Sequence, residues 1–201
     1  ASASFEAGSF GTKQLSSSVG HSSESYRFRV SANHLDSGGT NVAVTGDEDD
    51  GYRSTTVSAK VDWQAHEALI FDANARVTDI RNETDTGAFT GIPTDSDGQT
   101  DTFLAYVAAN ARTSSNNDRW THWLGGAWTR TASKDRDLLS GNRGRVQGDK
   151  YSVDYQTTLR FSTPALFGAE HSATLAIDFE ERYFKQRGPI SFGADPNQNR
   201  K

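Results

Sequence analysis

The sequence predicts an all-β fold, an antiparallel up-and-down sheet of about nine strands. Three observations support this prediction. Apolar and polar residues alternate with a period of two along most of the chain, no segment holds helical spacing as well, and Gly- and Asp-rich stretches separate the alternating segments. Tyr151–Phe161 is the clearest example, with Tyr, Val, Tyr, Thr, Leu and Phe on one side and polar residues on the other. Alternate side chains of a strand point to opposite faces, so this segment has one apolar and one polar face.

Five segments alternate strictly, and four are weaker. The two segments nearest the start of the chain are short and rich in small residues, and two central segments carry large apolar residues on both faces. In chain order the predicted strands are Ser2–Ala7, Gln14–Gly20, Tyr26–His34, Thr55–Trp63, Leu69–Val77, Phe103–Thr113, Trp120–Arg130, Tyr151–Phe161 and Ala173–Tyr183.

Composition excludes several classes of protein. The chain has 201 residues, with 26 acidic against 21 basic side chains, and a nucleic-acid partner would need a concentrated basic face instead. The longest purely apolar run, Phe103–Ala109, is far shorter than the roughly 20 residues of a membrane-spanning helix. The absence of Cys excludes a disulfide framework and a thiolate metal site. The absence of Met and of a signal peptide predicts an excised or mature segment.

The connections between the predicted strands are of two kinds, which alternate along the chain. Short polar turns follow the second, fourth, sixth and eighth strands, whereas long Gly- and Asp-rich loops are predicted at Asp36–Tyr52, Asp79–Thr100 and Thr131–Lys150. In an up-and-down sheet, alternate connections lie at the same end, so one end is predicted to carry short turns and the other long loops. Outer-membrane barrels have this asymmetry.

Two further features favour a transmembrane barrel. Apart from the two short segments nearest the start of the chain, the predicted strands are 9 to 11 residues long, which suffices to cross the hydrocarbon core. Aromatic residues also lie near strand ends, as in the girdles of outer-membrane barrels. We therefore predict a partial transmembrane β-barrel of about nine strands over residues 1–201. The aromatic residues near strand ends are Tyr26, Trp63, Trp120, Tyr151, Phe161 and Tyr183.

Two alternatives stay open at this stage. A soluble β-sandwich that binds a ligand also alternates along each strand, so a period of two alone does not separate the two folds. A passive porin-like channel would share the barrel and lack a plug. Detergent dependence distinguishes the first alternative, and a plug domain distinguishes the second.

Three stretches of the chain resemble the barrel of TonB-dependent outer-membrane receptors. Phe5–Gln14 is similar to the first barrel hairpin of that family, and Tyr26–His34 is similar to its third strand. Thr45–Thr56, which contains Asp-Asp-Gly-Tyr-Arg, resembles the beginning of the fourth strand, particularly in members related to the vitamin B12 transporter.

The resemblance implies a function for a larger parent protein. It implies a monomeric receptor in the outer membrane of a Gram-negative bacterium, which takes up a scarce nutrient such as a ferric siderophore or cobalamin. It also implies that a plug domain and a TonB-contacting segment precede Ala1 and that further strands follow Lys201. The implied partners are the TonB complex, outer-membrane lipid and a small-molecule nutrient, with no nucleic acid.

Acidic residues of two predicted loops form a candidate cation site. Oxygen-rich clusters of this kind ligate Ca²⁺, and the resemblance implies calcium-assisted ligand binding in such loops. An EF-hand is excluded, because Gly46 and Glu48 would occupy its first and third ligand positions. A solvated acidic loop remains the alternative interpretation. The candidate ligands are Asp47, Asp49, Asp50, Asp95 and Asp97.

Aromatic residues in the predicted loops are candidate contacts for the nutrient. They are Tyr52, Phe89 and Phe192. The polar face of the strands carries charges that are predicted to line the lumen, and these either contact a plug or pair across strands. No catalytic motif is present: His66-Glu67-Ala68-Leu69-Ile70 has Ile where a zinc protease needs its second His. The sequence therefore predicts no enzyme.

Overall fold

The computed structural model of the chain is a single antiparallel sheet. The structure describes residues 1–41, 43, 49–87, 93–137, 141, 143–163, 168–188 and 199–200. Its ten strands lie side by side in chain order. They are β1 (Ser2–Ala7), β2 (Lys13–Ser22), β3 (Tyr26–Thr40), β4 (Asp50–His66), β5 (Leu69–Gly87), β6 (Pro93–Ser115), β7 (Trp120–Asp137), β8 (Arg143–Thr163), β9 (Ala169–Arg187) and β10 (Asn199–Arg200).

This arrangement confirms the predicted fold class. Every strand pairs with its neighbours in the sequence, and the described residues form no second sheet that could cover the first. A soluble sandwich packs two sheets face to face, so the described strands do not form that alternative. β1 and β10 stand at opposite edges of the sheet, which makes it a partial rather than a closed barrel.

The short connections lie at one end of the sheet, as predicted. We call this the turn end; it holds the connections that follow β2, β4, β6 and β8. In the turn between β6 and β7, Asn116, Asn117 and Asp118 all have positive φ, of 52°, 51° and 63°. Asn and Asp tolerate this left-handed conformation better than other non-Gly residues, because their short polar side chains bond the local backbone.

The opposite end, which we call the long end, differs from the prediction. Most of the predicted loop Asp79–Thr100 is paired strand, since β5 runs to Gly87 and β6 starts at Pro93. The predicted loops Asp36–Tyr52 and Thr131–Lys150 are likewise shortened by the neighbouring strands. The prediction of long loops here is wrong because it relied on the low strand propensity of Gly, Asp and Asn. Cross-strand pairing overrides that propensity.

From β3 to β9 the strands have 15 to 23 residues and are consequently longer than the 9 to 11 residues predicted. β6 has 23 residues and β8 has 21. A strand of 23 residues is about 76 Å long, and even a tilt of ~40° leaves its height near 58 Å, more than twice the ~25 Å apolar band of an outer-membrane barrel. Such strands project well beyond any membrane that they cross.

The first hairpin is short although it lies at the long end. Phe10 and Gly11 have φ of 58° and 65°, and the amide of Thr12 donates to the carbonyl of Ser9 over 3.1 Å. Positive φ at both central residues is the type I′ geometry that suits the twist of a two-residue hairpin. Glycine at position 11 removes the steric cost of one of these two positions.

Candidate functional site

The sheet has two chemically different faces, which the strand register defines. The band face carries Val57, Val61 and all residues in register with them, whereas the polar face carries Ser58, Lys60 and their neighbours in register. Across β3 to β9, one cross-strand row of the band face reads Phe28, Val61, Ala73, Ala109, Gly126, Val153 and Phe179.

Large apolar side chains on the band face are exposed. Leu175, Ile177 and Phe179 on β9 are 58%, 58% and 60% exposed, and the buried residues of the described chain are small: Thr78, Ala105, Ala108 and Gly125. No protein core lies behind these side chains among the described residues. A contiguous apolar surface of this size on a soluble monomer would be exceptional.

The apolar part of the band face has the height of a membrane. On β6 it runs from Phe103 to Ala111, nine residues that include Ala105, Val107 and Ala109. Nine residues span about 30 Å along a strand, and a tilt of ~40° reduces this to a height of about 23 Å, close to the ~25 Å of outer-membrane barrels. We call this region the apolar band.

Aromatic rings border the apolar band at both ends. At the turn end Tyr26 pairs with Trp63, and Trp63 stacks on Phe71 with ring centroids 5.5 Å apart. At the other border, Tyr151 meets Tyr183 edge to face at 6.1 Å. Amphipathic rings at both borders match the two interfacial girdles of a transmembrane barrel.

Beyond the apolar band, the same face becomes charged at the long end. Arg53 pairs with Asp36 at 2.7 Å on β4 and β3, and Arg130 pairs with Asp149 at 2.7 Å on β7 and β8. The Arg53 hydrogen bond holds the pKa of Asp36 below its usual range. These ion pairs stabilise the paired strands in segments whose Gly- and Asp-rich sequence has a low intrinsic strand propensity.

Among the described residues of this extension, Asp101 is the centre of the largest ion-pair network. Its carboxylate lies 3.1 Å from Arg81 on β5 and 2.6 Å from Arg136 on β7, and Gln99 donates to it over 2.8 Å. Partial burial raises the pKa of Asp101, but the hydrogen bonds from Gln99 and Arg81 and the charge of Arg136 outweigh it, so the pKa is lowered overall.

The polar face contains the charges that were predicted to line the lumen. Arg27 pairs with Asp62 at 3.3 Å, and Lys150 pairs with Glu180 at 2.7 Å. On β1 to β4 this face also carries small hydroxyl residues, and a hollow of about 260 Å³ there is lined by Ser, Thr, Ala, Asn33 and Arg29. A wall with this chemistry suits wet or polar contents.

The structure places Tyr52 on the polar face, in strand β4 rather than in the predicted loop. It pairs with Ser37 on β3 and Asn82 on β5 and lines a cavity of about 200 Å³. Drug-sized ligands occupy cavities of about 300–1,000 Å³, so this cavity alone does not hold a large nutrient. Phe89 and Phe192, the other predicted contacts, lie outside the described residues.

The described acidic residues of the candidate cation site reach the same end of the sheet. Asp49 accepts a hydrogen bond from the backbone amide of Asn41 over 3.0 Å, and Asp50 begins β4. Asp97 lies on β6, with β5 between the two strands. Asp95 is also on β6, and Asp47 lies outside the described residues. In the described part of the chain, no group of three or more His, Asp or Glu is placed to hold a metal ion.

Comparison with known proteins supports the fold. No protein-family model matches the chain, and no curated protein matches it by sequence. A solved structure is similar, the ferripyoverdine receptor of the outer membrane of Pseudomonas aeruginosa bound to ferripyoverdine, with a TM-score of 0.70 at 11% identity. The match covers 97% of this chain and 29% of that receptor chain, so this chain spans less than a third of the receptor's length.

At 11% identity the likeness shows the fold alone: the chain has the fold of part of an outer-membrane receptor barrel. Within the described residues, no helix is long and apolar enough to cross a membrane.

Proposed function

We propose that this chain forms part of the wall of an outer-membrane receptor that takes up a large, scarce nutrient, of which a ferric siderophore is the first candidate. The observation that carries the proposal is the change on one face from an aromatic-bordered apolar band to ion pairs, while the other face carries ion pairs and small hydroxyl residues. The fold shared with a ferripyoverdine receptor favours a siderophore. No comparison supports cobalamin.

We further propose that the chain functions within a larger protein driven by the TonB complex. The open edges of the sheet support this proposal, because a barrel must close to leave no unpaired backbone groups in lipid. The sequence resemblance to TonB-dependent receptors also supports it, and implies a plug domain before this segment and further strands after it. A passive porin is the alternative, and a plug would exclude it.

Ligand capture is proposed at the long end of the sheet, where Tyr52 faces the polar side. Phe89 and Phe192 remain candidate contacts on the basis of the sequence alone. A calcium ion at Asp47, Asp49, Asp50, Asp95 and Asp97 also remains a proposal. The hydrogen bond that Asp49 accepts from Asn41 would compete with ligation, so a calcium site needs this carboxylate to have a free oxygen.

Two measurements test the proposed function in sequence. The first is partition of the protein between buffer and detergent, followed by circular dichroism in each. We expect β-structure only in detergent or lipid, and a cooperatively folded monomer in plain buffer would overturn the membrane placement.

The second measurement is binding of ferripyoverdine, as the first probe of the ferric siderophore class, to the full-length receptor in detergent. We expect Tyr52→Ala to weaken binding, and the matched variant Tyr26→Ala, on the opposite face at the turn end, to bind as the wild type does. If neither the wild type nor the variants bind any member of a panel of ferric siderophores, the proposal of a siderophore ligand is wrong. The proposed membrane placement is unaffected by that result.

A further inference from the structure

The polar face is almost uncharged at the long end of β4 to β7. Its positions there lie within Tyr52–Thr56, Thr78–Asn82, Thr100–Leu104 and Thr131–Asp135, in three cross-strand rows. We call these positions of the polar face the neutral wall. Asp135 is its one charged residue, and the positions that continue the three rows on β3, β8 and β9 are uncharged as well.

The opposite side of the same strands is charged. On the band face at the same height, one cross-strand row has a charged residue on each of the four strands and reads Arg53, Arg81, Asp101 and Lys134. Strands that project beyond a membrane meet water on both faces, so hydration alone does not explain this difference. The chain has charges at this height and places them on one face, which makes the neutrality of the other face a specific property of the wall.

Hydroxyl and amide groups predominate on the neutral wall, and most of them are free to bind a ligand. Thr56 and Thr78 share a hydrogen bond of 3.0 Å, and Thr100 donates to Asp135 over 2.9 Å. The other polar side chains of the wall have no hydrogen-bond partner among the described residues: Tyr52, Ser54, Asn82, Thr102, Thr131 and Ser133. The wall therefore offers uncharged donors and acceptors.

A surface of this kind favours an uncharged ligand. A charged group that leaves water to contact it loses hydration, and no opposite charge on the wall compensates a negative group for that loss. The nearest described cations of the polar face lie one row deeper, level with the apolar band: Arg76, Lys150 and Arg182. Lys150 and Arg182 both pair with Glu180. A ligand that enters from the long end therefore meets the neutral wall before it meets these cations.

We propose that the neutral wall selects a nutrient that has no negative charge and presents hydroxyl and amide groups. For a ferric siderophore this means an uncharged hydroxamate complex rather than an anionic catecholate complex. The inference rests on the proposed function, which places the captured nutrient on the polar face at the long end. Like charges brought together disfavour a wrong partner, and the carboxylate of Asp135 on this wall opposes an anion in that way.

The first test compares the affinities of the detergent-solubilised full-length receptor for two ferric complexes, an uncharged trihydroxamate and an anionic tris-catecholate. We expect the wild type to bind the uncharged complex at least about tenfold more tightly. Equal affinities, or tighter binding of the anionic complex, would overturn the proposal. Binding of neither complex would instead overturn the proposed siderophore ligand, and the hydroxamate assignment with it.

The second test adds a cation to the neutral wall. Ser133→Lys places it on the wall, and the control Ala132→Lys places the same charge at the neighbouring position of β7 on the band face. We expect Ser133→Lys to bind the anionic complex about threefold to fivefold more tightly than the wild type, the gain from one exposed ion pair. Ala132→Lys should leave both affinities within about twofold of the wild type.

Circular dichroism checks that the variants fold. Thr102→Lys, opposite Ser133 on β6, repeats the test if Ser133→Lys does not fold. Equal effects of the wall variant and of Ala132→Lys would overturn the proposal. An unchanged affinity of the wall variant for the anionic complex would also overturn it, and is the result expected if another part of the parent protein covers the wall.

Discussion

The Arg136 guanidinium on β7 lies 2.6 Å from the Asp101 carboxylate on β6, on the same face of the sheet as the apolar band. Arg81 reaches the other oxygen of that carboxylate from β5. One acidic side chain thus ties three strands together beyond the band, in a segment whose composition predicts a loop. The extension of the strands past the apolar band depends on contacts of this kind.

Asp101→Asn is expected to loosen the long end of β5 to β7 and leave the apolar band unchanged. The substitution removes the charge that two arginines share, which is worth about 1 kcal/mol for such partly exposed pairs. Hydrogen exchange should be faster by about fivefold at the long end of these strands. Asp97→Asn, on the same strand in calcium-free buffer, is the control, and equal effects from both substitutions would contradict the role of the network.

Acid should loosen the same region. The pKa of Asp101 is lowered in the folded protein, because hydrogen bonds from Gln99 and Arg81 and the charge of Arg136 outweigh the effect of its partial burial. A carboxyl group whose pKa is lower in the folded protein than in the unfolded protein stabilises the fold at pH values above its unfolded pKa, here 3.8. This stabilisation is lost as the pH falls through the pKa of the folded protein. Protection factors at the long end, corrected for intrinsic exchange, should therefore fall below about pH 4. They should be less dependent on pH in Asp101→Asn.

If the apolar band faces lipid, two neighbouring positions of β9 should differ in their tolerance of a charged side chain. Ile177 is on the band face, and Ala176 is on the polar face, opposite Gln156. Ile177→Arg should destabilise the protein in bilayers by about 2–4 kcal/mol, the cost of Arg near the bilayer midplane. Ala176→Arg should change stability by less than about 1 kcal/mol. Urea titration of the reconstituted protein measures both, and equal costs would contradict the assignment of faces.

The two adjacent glycines of β7 should also differ. A Cβ on Gly125 would lie 2.5 Å from the Trp123 ring and 2.8 Å from the side-chain oxygen of Asn110, whereas one on Gly126 would meet nothing nearer than 3.8 Å. Gly125→Ala should cost about 1–3 kcal/mol through displacement of Trp123. It would also disturb the bond from Asn110 to Asp72. Gly126→Ala should be nearly neutral in the same urea titration, and equal costs for the two substitutions would contradict the packing of Trp123 over Gly125.

The apolar band was predictable from the sequence, and the extension beyond it was not. Segments such as Thr55–Trp63 alternate strictly between the apolar and the polar face, and that alternation is visible in the local sequence. Asp101 pairs with Arg81 and Arg136, which lie 20 and 35 positions away in the sequence, so no local pattern reveals these contacts.

The candidate ligand contacts also depend on the strand register, which a local sequence pattern reveals only in part. Tyr52 was selected because it is aromatic and lies near a predicted loop, but its face is set by the register of β4 between β3 and β5. Alternation counted back along β4 from Trp63 would have placed Tyr52 on the polar face. That signal was present in the sequence.

Accessibility along β9 tests the central claim, that the band face lies against lipid. The chain contains no Cys, so single cysteines at each position from Ala173 to Glu180 accept a spin label without background. In the protein reconstituted into bilayers, labels at 173, 175, 177 and 179 should contact oxygen dissolved in the lipid. Labels at 174, 176, 178 and 180 should contact a water-soluble relaxation agent. Equal accessibility of the two rows, or shielding of the odd row from lipid, would contradict the account.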